Sequence, residues 1–160
     1  MELALLAVGR LRQYYREAAD EYAGRIRHYA RLSESEIREA SRAGSVERQR
    51  SEEASRLRAR IPDGAVVVAL AREGQGWSSS DLARRLGGWQ QQGRDVALLI
   101  GGSFGLDPAL LTDAAHRWSL GALTLPHELA RVVVLEQIYR GFTILRGEPY
   151  HKGGTGTGRT

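Results

Sequence analysis

The stretch from 95 to 127, DVALLIGGSFGLDPALLTDAAHRWSLGALTLPH, decides the fold. It opens with an uninterrupted apolar run, 96–100, which ends in the glycine-rich loop 101–105. Such a run is typical of a strand buried on both faces of a parallel sheet. A second loop of small and apolar residues, 121–126, leads into a long helical pattern. Because ligands bind at the carboxyl ends of parallel strands, the two loops predict one small-molecule pocket.

The same alternation of apolar runs and helical periodicities extends outward from this stretch. After the first apolar run, apolar and aromatic residues recur at intervals of three and four, as on one face of a helix. The pattern predicts strands over 3–8, 32–40, 65–70, 96–100 and 118–120, and helices over 11–32, 45–60, 81–92, 107–115 and 127–145. This order predicts an α/β domain with a mostly parallel sheet flanked by helices.

Composition limits the class of protein. A chain of 160 residues with 42% apolar content suits one domain with a single core. The absence of cysteine excludes disulfides and thiolate metal ligands, and the four histidines lack metal-ligand spacing, so we expect no metal. No apolar run approaches the ~18 residues of a membrane helix, and the N-terminus lacks the features of a signal peptide. We therefore expect a cytoplasmic protein without a membrane partner.

The charge is modestly basic, with a net value of +4 and a sequence pI of about 9.8. Lys152 is the only lysine among 23 basic residues. Arginine suits bidentate phosphate contacts, which favours a nucleic-acid partner, but compositional bias of the genome explains the skew equally well. The arginines of the first helix accordingly form either an RNA-facing surface or a solvated face.

The common nucleotide and hydrolase motifs are missing. The loop 101–105 has glycines at offsets 0, 1 and 4, which is not the dinucleotide-binding spacing. There is neither a phosphate-binding P-loop nor a G-x-S-x-G nucleophile elbow. Taken alone, the loop is either a ligand cradle or a tight strand-to-helix turn.

The helix over 127–145 is apolar around more of its circumference than a surface helix needs. A second subunit would bury the additional face, so we expect a C2 homodimer. Arg131 and Glu136 are five residues apart on this helix, which predicts separate partners for the two charges. The aromatic, imidazole and ammonium groups of 150–152 suit stacking and proton transfer on a nucleobase, or are simply the end of the chain.

Three segments carry a family resemblance: LLAVGRL at 5–11, LLIGGSFGL at 98–106, and WSLGALTLPHELARVVVLEQIYRGFTILRGEPYHK at 118–152. They resemble the ribosomal RNA large-subunit methyltransferase H family, the 23S rRNA (pseudouridine-1915-N3)-methyltransferases. The resemblance implies a SPOUT-type domain over 1–152 with a C-terminal trefoil knot, followed by a flexible Gly/Thr tail over 153–160. It also implies S-adenosyl-L-methionine as cofactor and a homodimer that acts on 23S rRNA in the assembled ribosome.

The resemblance implies a role for each matching position. Catalytic residues would be His151 as proton acceptor, Tyr150 to stack on or orient the base, and Arg140, or alternatively Lys152, to stabilise a phosphate or an enolate. RNA-binding residues would be His127, Arg131 and Lys152. The cofactor would be held by Leu70, Gly101, Leu120, Gly121, Ala122, Leu123, Thr124 and Leu125.

Two departures and two alternatives accompany this interpretation. Phe104 stands where the family usually has a small polar or acidic residue, and 153–160 extends past the usual ending. A non-catalytic ribosome-binding module would keep the basic surface but not need the two loops, which are intact here. A related SPOUT enzyme acting on transfer RNA would share the cofactor site but differ at the C-terminal end.

Overall fold

The computed structural model describes residues 1–150, which form five strands and five helices in an alternating order. The strands are β1 (Glu2–Val8), β2 (Arg31–Ile37), β3 (Val66–Gly76), β4 (Val96–Ile100) and β5 (His116–Ser119). The helices are α1 (Gln13–Ile26), α2 (Val46–Arg58), α3 (Ser79–Gln91), α4 (Pro108–Asp113) and α5 (His127–Leu145). Every predicted element is present.

The five strands form one parallel sheet in the order β2-β1-β4-β3-β5. Helices α1, α3 and α5 pack together on one face, where Leu5 and Leu98 contribute to a core completed by Phe142. Residues of α2 and α4 cover the other face, where Leu57 and Leu110 pack. The predicted α/β class, with a mostly parallel sheet flanked by helices, is confirmed.

The order of the strands fixes where the site can form. The chain passes from β1 outward to β2 and then returns to the other side of β1, where β4 pairs with it. Because all strands are parallel, the loops that follow β1, β2, β4 and β5 lie along one edge of the sheet.

Several element boundaries differ from the prediction where strands pair with distant segments; β2, for example, ends at Ile37 and not at 40. Helix α1 ends at Ile26 rather than near 32, because β2 must begin at Arg31 to pair with Glu2 of β1. Strand β5 covers His116–Ser119 rather than 118–120. Periodicity within the segment carries no information about such pairing.

Strand β3 continues six residues beyond the predicted end at Leu70. Trp118 pairs with Leu70 and again with Gln75, so the residues between them bulge from the ladder. A Cβ atom added to Gly74 would lie 2.6 Å from the carbonyl oxygen of Arg117, so only glycine permits this approach of the two chains. The trefoil knot remains a prediction.

In the described part of the chain, no helix combines the length and apolar character needed to span a bilayer.

Candidate active site

A cleft of about 840 Å³ lies at the carboxyl ends of β3, β4 and β5. This volume falls within the ~300–1,000 Å³ of typical small-molecule sites. Most of the predicted cofactor residues line it: Leu70, Gly101, Leu120, Gly121, Leu123, Thr124 and Leu125. Ala122 is exposed and is not part of the lining. The fold thus brings together the two loops that the sequence singled out.

The glycine loop is held by its own backbone. The amide of Gly105 donates to the carbonyl of Gly102 at 3.1 Å, and Gly105 has a positive φ of 73°. A Cβ atom on Gly101 would lie 2.5 Å from the carbonyl carbon of Gly105. Glycine at 101 is therefore required by packing within the loop itself.

The second loop turns at Gly121, whose φ is 120°. The Ser119 hydroxyl accepts a hydrogen bond from the Gly121 amide at 3.1 Å and also lies 3.2 Å from the Gly121 carbonyl oxygen, to which it donates. Beyond this turn, Leu123 is 79% exposed in the protomer. This apolar side chain is therefore available to a ligand or to another subunit.

The cleft has few ionisable groups. Arg72 and Glu73 line it from the bulge of β3, and His127 lines it from the first turn of α5. Sequence reasoning did not single out Arg72 or Glu73. Their only signal was that they follow the end of a buried strand. The exposed Phe104 also lines the cleft, at the position that departs from the family pattern.

Arg131, which we expected to contact RNA, is buried, with its side chain 3% exposed. Its Nη2 donates to Glu36 Oε2 at 2.6 Å and lies 3.8 Å from Glu34 Oε2, while Nη1 donates to the carbonyl of Gly9 at 3.3 Å. Arg16 shares both carboxylates. Arg131 therefore joins α5 to β2, and the geometry leaves it unavailable to a phosphate.

The predicted catalytic residues Tyr150 and Arg140 meet at Glu136. Glu136 Oε1 accepts hydrogen bonds from the Tyr150 hydroxyl at 3.0 Å and from Arg140 Nη2 at 2.6 Å. The Arg140 guanidinium carbon lies 5.0 Å from the centroid of the Tyr150 ring, and Tyr139 packs on the other side of the phenol. The predicted separate partners of Arg131 and Glu136 are confirmed. We call Glu136, Tyr139, Arg140 and Tyr150 the tyrosine cluster.

Tyr150 is a proton donor in this cluster. Burial, followed by the hydrogen bond to Glu136, raises the pKa of Tyr150 to about 12. The phenol is therefore neutral at physiological pH and suits orienting or stacking on a base.

The cleft and the tyrosine cluster lie apart in one protomer. His127 and Arg140 are 13 positions apart on α5, which at 1.5 Å per residue is about 20 Å. Neither Tyr150 nor Arg140 lines the cleft. Of the predicted catalytic residues, Tyr150 and Arg140 are thus not brought to the cofactor site of their own chain.

Two further predictions concern residues 151–160. His151 and Lys152 lie outside the described residues, as does the tail over 153–160. Within residues 1–150, no group of three or more histidine, aspartate or glutamate side chains is arranged to hold a metal ion.

Comparison with known proteins defines the class. A family model described as "Predicted SPOUT methyltransferase" matches residues 1–151. With the parallel sheet and its strand-end cleft, this match defines a SPOUT methyltransferase.

Curated relatives then define the family. A ribosomal RNA large subunit methyltransferase H from Nitrosococcus oceani is 44% identical over 155 residues, covering 95% of this chain and 99% of the relative. The proteins of the same name from Anaeromyxobacter sp. and Gemmatimonas aurantiaca are 45% and 46% identical, each covering 95% of this chain and 100% of the relative. The chain belongs to the ribosomal RNA large subunit methyltransferase H family.

Solved structures support the fold alone. A methylase family protein from Haemophilus influenzae matches with a TM-score of 0.54 at 10% identity, covering 93% of this chain and 69% of that one. One from Neisseria gonorrhoeae matches with a TM-score of 0.55 at 15% identity, covering 86% and 81%.

Proposed function

We propose that the protein transfers a methyl group from S-adenosyl-L-methionine to N3 of pseudouridine 1915 of 23S rRNA in the assembled ribosome. The observation that carries this proposal is the strand-end cleft, built from the two loops that define the family resemblance. The 44% identity to relatives named for the large-subunit ribosomal RNA supports the substrate class. An enzyme that acts on ribosomes would work in the cytoplasm.

The residues of the cleft fit this cofactor. Leu70, Leu123 and Leu125 supply apolar walls for an adenine ring, and the two loops offer main-chain amides and carbonyls for its edges and for a ribose. Glu73 at the rim is a carboxylate suited to ribose hydroxyls or to a cationic group. The cofactor supplies a methyl group on a sulfonium, ready for in-line displacement.

The protein's own residues would then align and deprotonate the base. Methyl transfer depends mainly on alignment of the reacting atoms and exclusion of water. The imide N–H of pseudouridine must lose its proton, and Tyr150 cannot accept it because its pKa of about 12 keeps the phenol protonated. We assign proton acceptance to His151 and orientation of the base to Tyr150. Arg140, already beside that ring, would stabilise negative charge on the base or a phosphate.

Completing this site requires a second subunit. The tyrosine cluster of a protomer lies about 20 Å along α5 from the cleft of the same protomer. In the cleft, Leu123 is 79% exposed, and on α5 the side chains of Leu129, Val132 and Val133 are only partly buried. We propose that a C2 dimer covers this apolar surface and brings the tyrosine cluster of each chain to the cleft of its partner.

Two measurements test the proposed function. Calorimetric titration should show S-adenosyl-L-methionine binding to the protein alone. Ribosomes purified from cells that lack the modification should then accept one methyl group at the expected nucleotide. Methylation of transfer RNA instead would support the alternative SPOUT substrate, and ribosome binding without cofactor binding would support a non-catalytic module.

A further inference from the structure

A second cleft lies at the same edge of the sheet, beyond β1 and β2. It has a volume of about 640 Å³ and shares no residue with the cofactor cleft. Four arginines line it: Arg10 after β1, Arg38 and Arg42 after β2, and Arg56 on α2. We call it the arginine cleft.

One of these arginines is used to hold the cleft together. Arg56 Nη1 donates to the carbonyl oxygen of Arg38 at 2.6 Å, and Arg56 Nη2 lies 3.8 Å from Glu52. These contacts fix the loop after β2 against α2. The opposite wall is the main chain at Gly9, whose amide donates to the carbonyl of Ile37 at 2.8 Å. The cleft is thus built on two adjacent strand ends.

The other three arginines are available to a ligand. Arg10, Arg38 and Arg42 are exposed, and their guanidinium groups make no hydrogen bond or ion pair with any residue in 1–150. Several other arginines have carboxylate partners, such as Arg12 with Glu128 and Arg58 with Asp113. Three unpaired guanidinium groups around one concave surface favour an anion, since the planar fork matches phosphate oxygens.

The arginine cleft adjoins the cofactor cleft. Gly102 belongs to the cofactor cleft, and a Cβ atom placed on it would lie 3.4 Å from Glu39 Oε1. Glu39 lines the arginine cleft, and a Cβ on Gly9 would lie 3.9 Å from the same oxygen. One side chain therefore separates the two clefts. Because neighbouring strands lie ~4.8 Å apart, the centres of the two clefts are roughly 5–15 Å from each other.

We propose that Arg10, Arg38 and Arg42 bind backbone phosphates of the RNA strand beside the nucleotide that enters the cofactor cleft. This inference rests on the proposed function and adds to it the place where the strand is held. The contacts position the strand without reading its sequence, as phosphate contacts generally do. Glu39 and Glu52 confine the phosphates to the arginine side by repelling them elsewhere in the cleft.

The test compares two doubly substituted proteins with equal loss of charge. Arg38→Gln with Arg42→Gln removes two guanidinium groups from the arginine cleft. Arg31→Gln with Arg60→Gln is the control, because both arginines are exposed and lie near the amino ends of β2 and β3. Each protein is titrated with unmodified ribosomes and with a single-stranded fragment of 23S rRNA at several salt concentrations. Cofactor affinity and the kcat and KM for ribosome methylation are measured in parallel.

The cleft variant should bind both RNA probes roughly 10- to 100-fold more weakly than the wild type. The slope of log K against log salt should become shallower by about 1.4, the value for two single-strand phosphates. The KM for ribosomes should rise while kcat and cofactor affinity stay within about twofold. Lysine at both positions should restore much of the affinity, since the charge is retained.

Equal weakening in the control variant would overturn the inference, because it would show a general effect of charge. The inference would also be overturned if the cleft variant bound RNA with the affinity and salt slope of the wild type. Loss of cofactor binding in the cleft variant would overturn it as well. If the wild type does not methylate ribosomes, the proposed function fails. The RNA-fragment titrations then still decide whether this cleft binds phosphates.

Discussion

The hydroxyl of Tyr150 donates a hydrogen bond to Oε1 of Glu136 at 3.0 Å, joining the end of the described chain to the middle of α5. Glu136 is also tied to Arg140 and, through Oε2, to Gln137, whose own Oε1 accepts from Ser79 of α3 at 2.6 Å. The C-terminal segment is therefore anchored on its own protomer, while the base it would contact belongs at a distant cleft.

Glu136→Gln should lower the pKa of Tyr150 from about 12 to a value that burial alone keeps above 10. Ultraviolet titration of the tyrosine phenols measures this shift in pKa. Tyr150→Phe is the control, because it removes the contribution of Tyr150 from the titration curve. In the wild type, the folded state keeps a proton between pH 10 and 12 that the unfolded state loses. Stability should therefore fall as pH rises through this window, and less so in Tyr150→Phe. An unchanged titration in Glu136→Gln would contradict the coupling.

Arg131→Met should lower the free energy of unfolding by about 2–4 kcal/mol, because Glu34 and Glu36 keep only Arg16 as a partner. The control is Arg84→Met, which removes an ion pair at the surface and should change stability far less. Denaturant titration at one protein concentration compares the two. Equal losses of unfolding free energy in the two variants would mean that Arg131 does not stabilise the fold. Arg131 would then again be a candidate for RNA binding.

Gly101→Ala should weaken S-adenosyl-L-methionine binding by about tenfold or more, since the new Cβ forces the loop away from Gly105. Gly88→Ala is the matched control. It lies on α3 with no atom within 4 Å of its Cβ position, and alanine there should stabilise the helix by about 0.5–1 kcal/mol. Calorimetry measures the affinity of both folded proteins for S-adenosyl-L-methionine. Normal binding by Gly101→Ala would show that the glycine loop is not part of the cofactor site.

A shared active site predicts complementation between two inactive proteins. Gly101→Val, whose side chain is larger than that of alanine, should abolish cofactor binding in the cleft, and His151→Ala should inactivate the segment that the partner would supply. Random mixing makes half of the dimers mixed, each with one intact site, so activity should return to about a quarter of the wild-type value. Mixed dimers that are isolated and remain inactive would show that each chain uses its own C-terminal segment.

Truncation after Pro149 removes the phenol, imidazole and ammonium groups together and should abolish methylation with far less effect on cofactor affinity. Truncation after Lys152 is the control and should leave activity nearly unchanged. Both proteins are assayed by methyl transfer to unmodified ribosomes. Similar activity in the two would mean that residues 150–152 are only the end of the chain.

The sequence by itself determined the α/β class, the two loops and the helix His127–Leu145, whose bounds agree with those predicted. These features are local: an uninterrupted apolar run identifies a buried strand, and a 3.6-residue periodicity identifies a helix. The family resemblance was likewise readable, because it depends on the order and spacing of residues along the chain.

Tertiary structure alone decided how the charges are used. The sequence predicted that Arg131 contacts RNA, yet its side chain is buried against carboxylates of β2, whereas Arg38, for which no role was predicted, is exposed in a cleft. The bulge that places Arg72 and Glu73 at the cofactor cleft depends on the pairing of β3 with β5. Each outcome depends on which distant segment lies within a few ångströms, since a charge is stabilised by its partners in space and not by its neighbours in sequence.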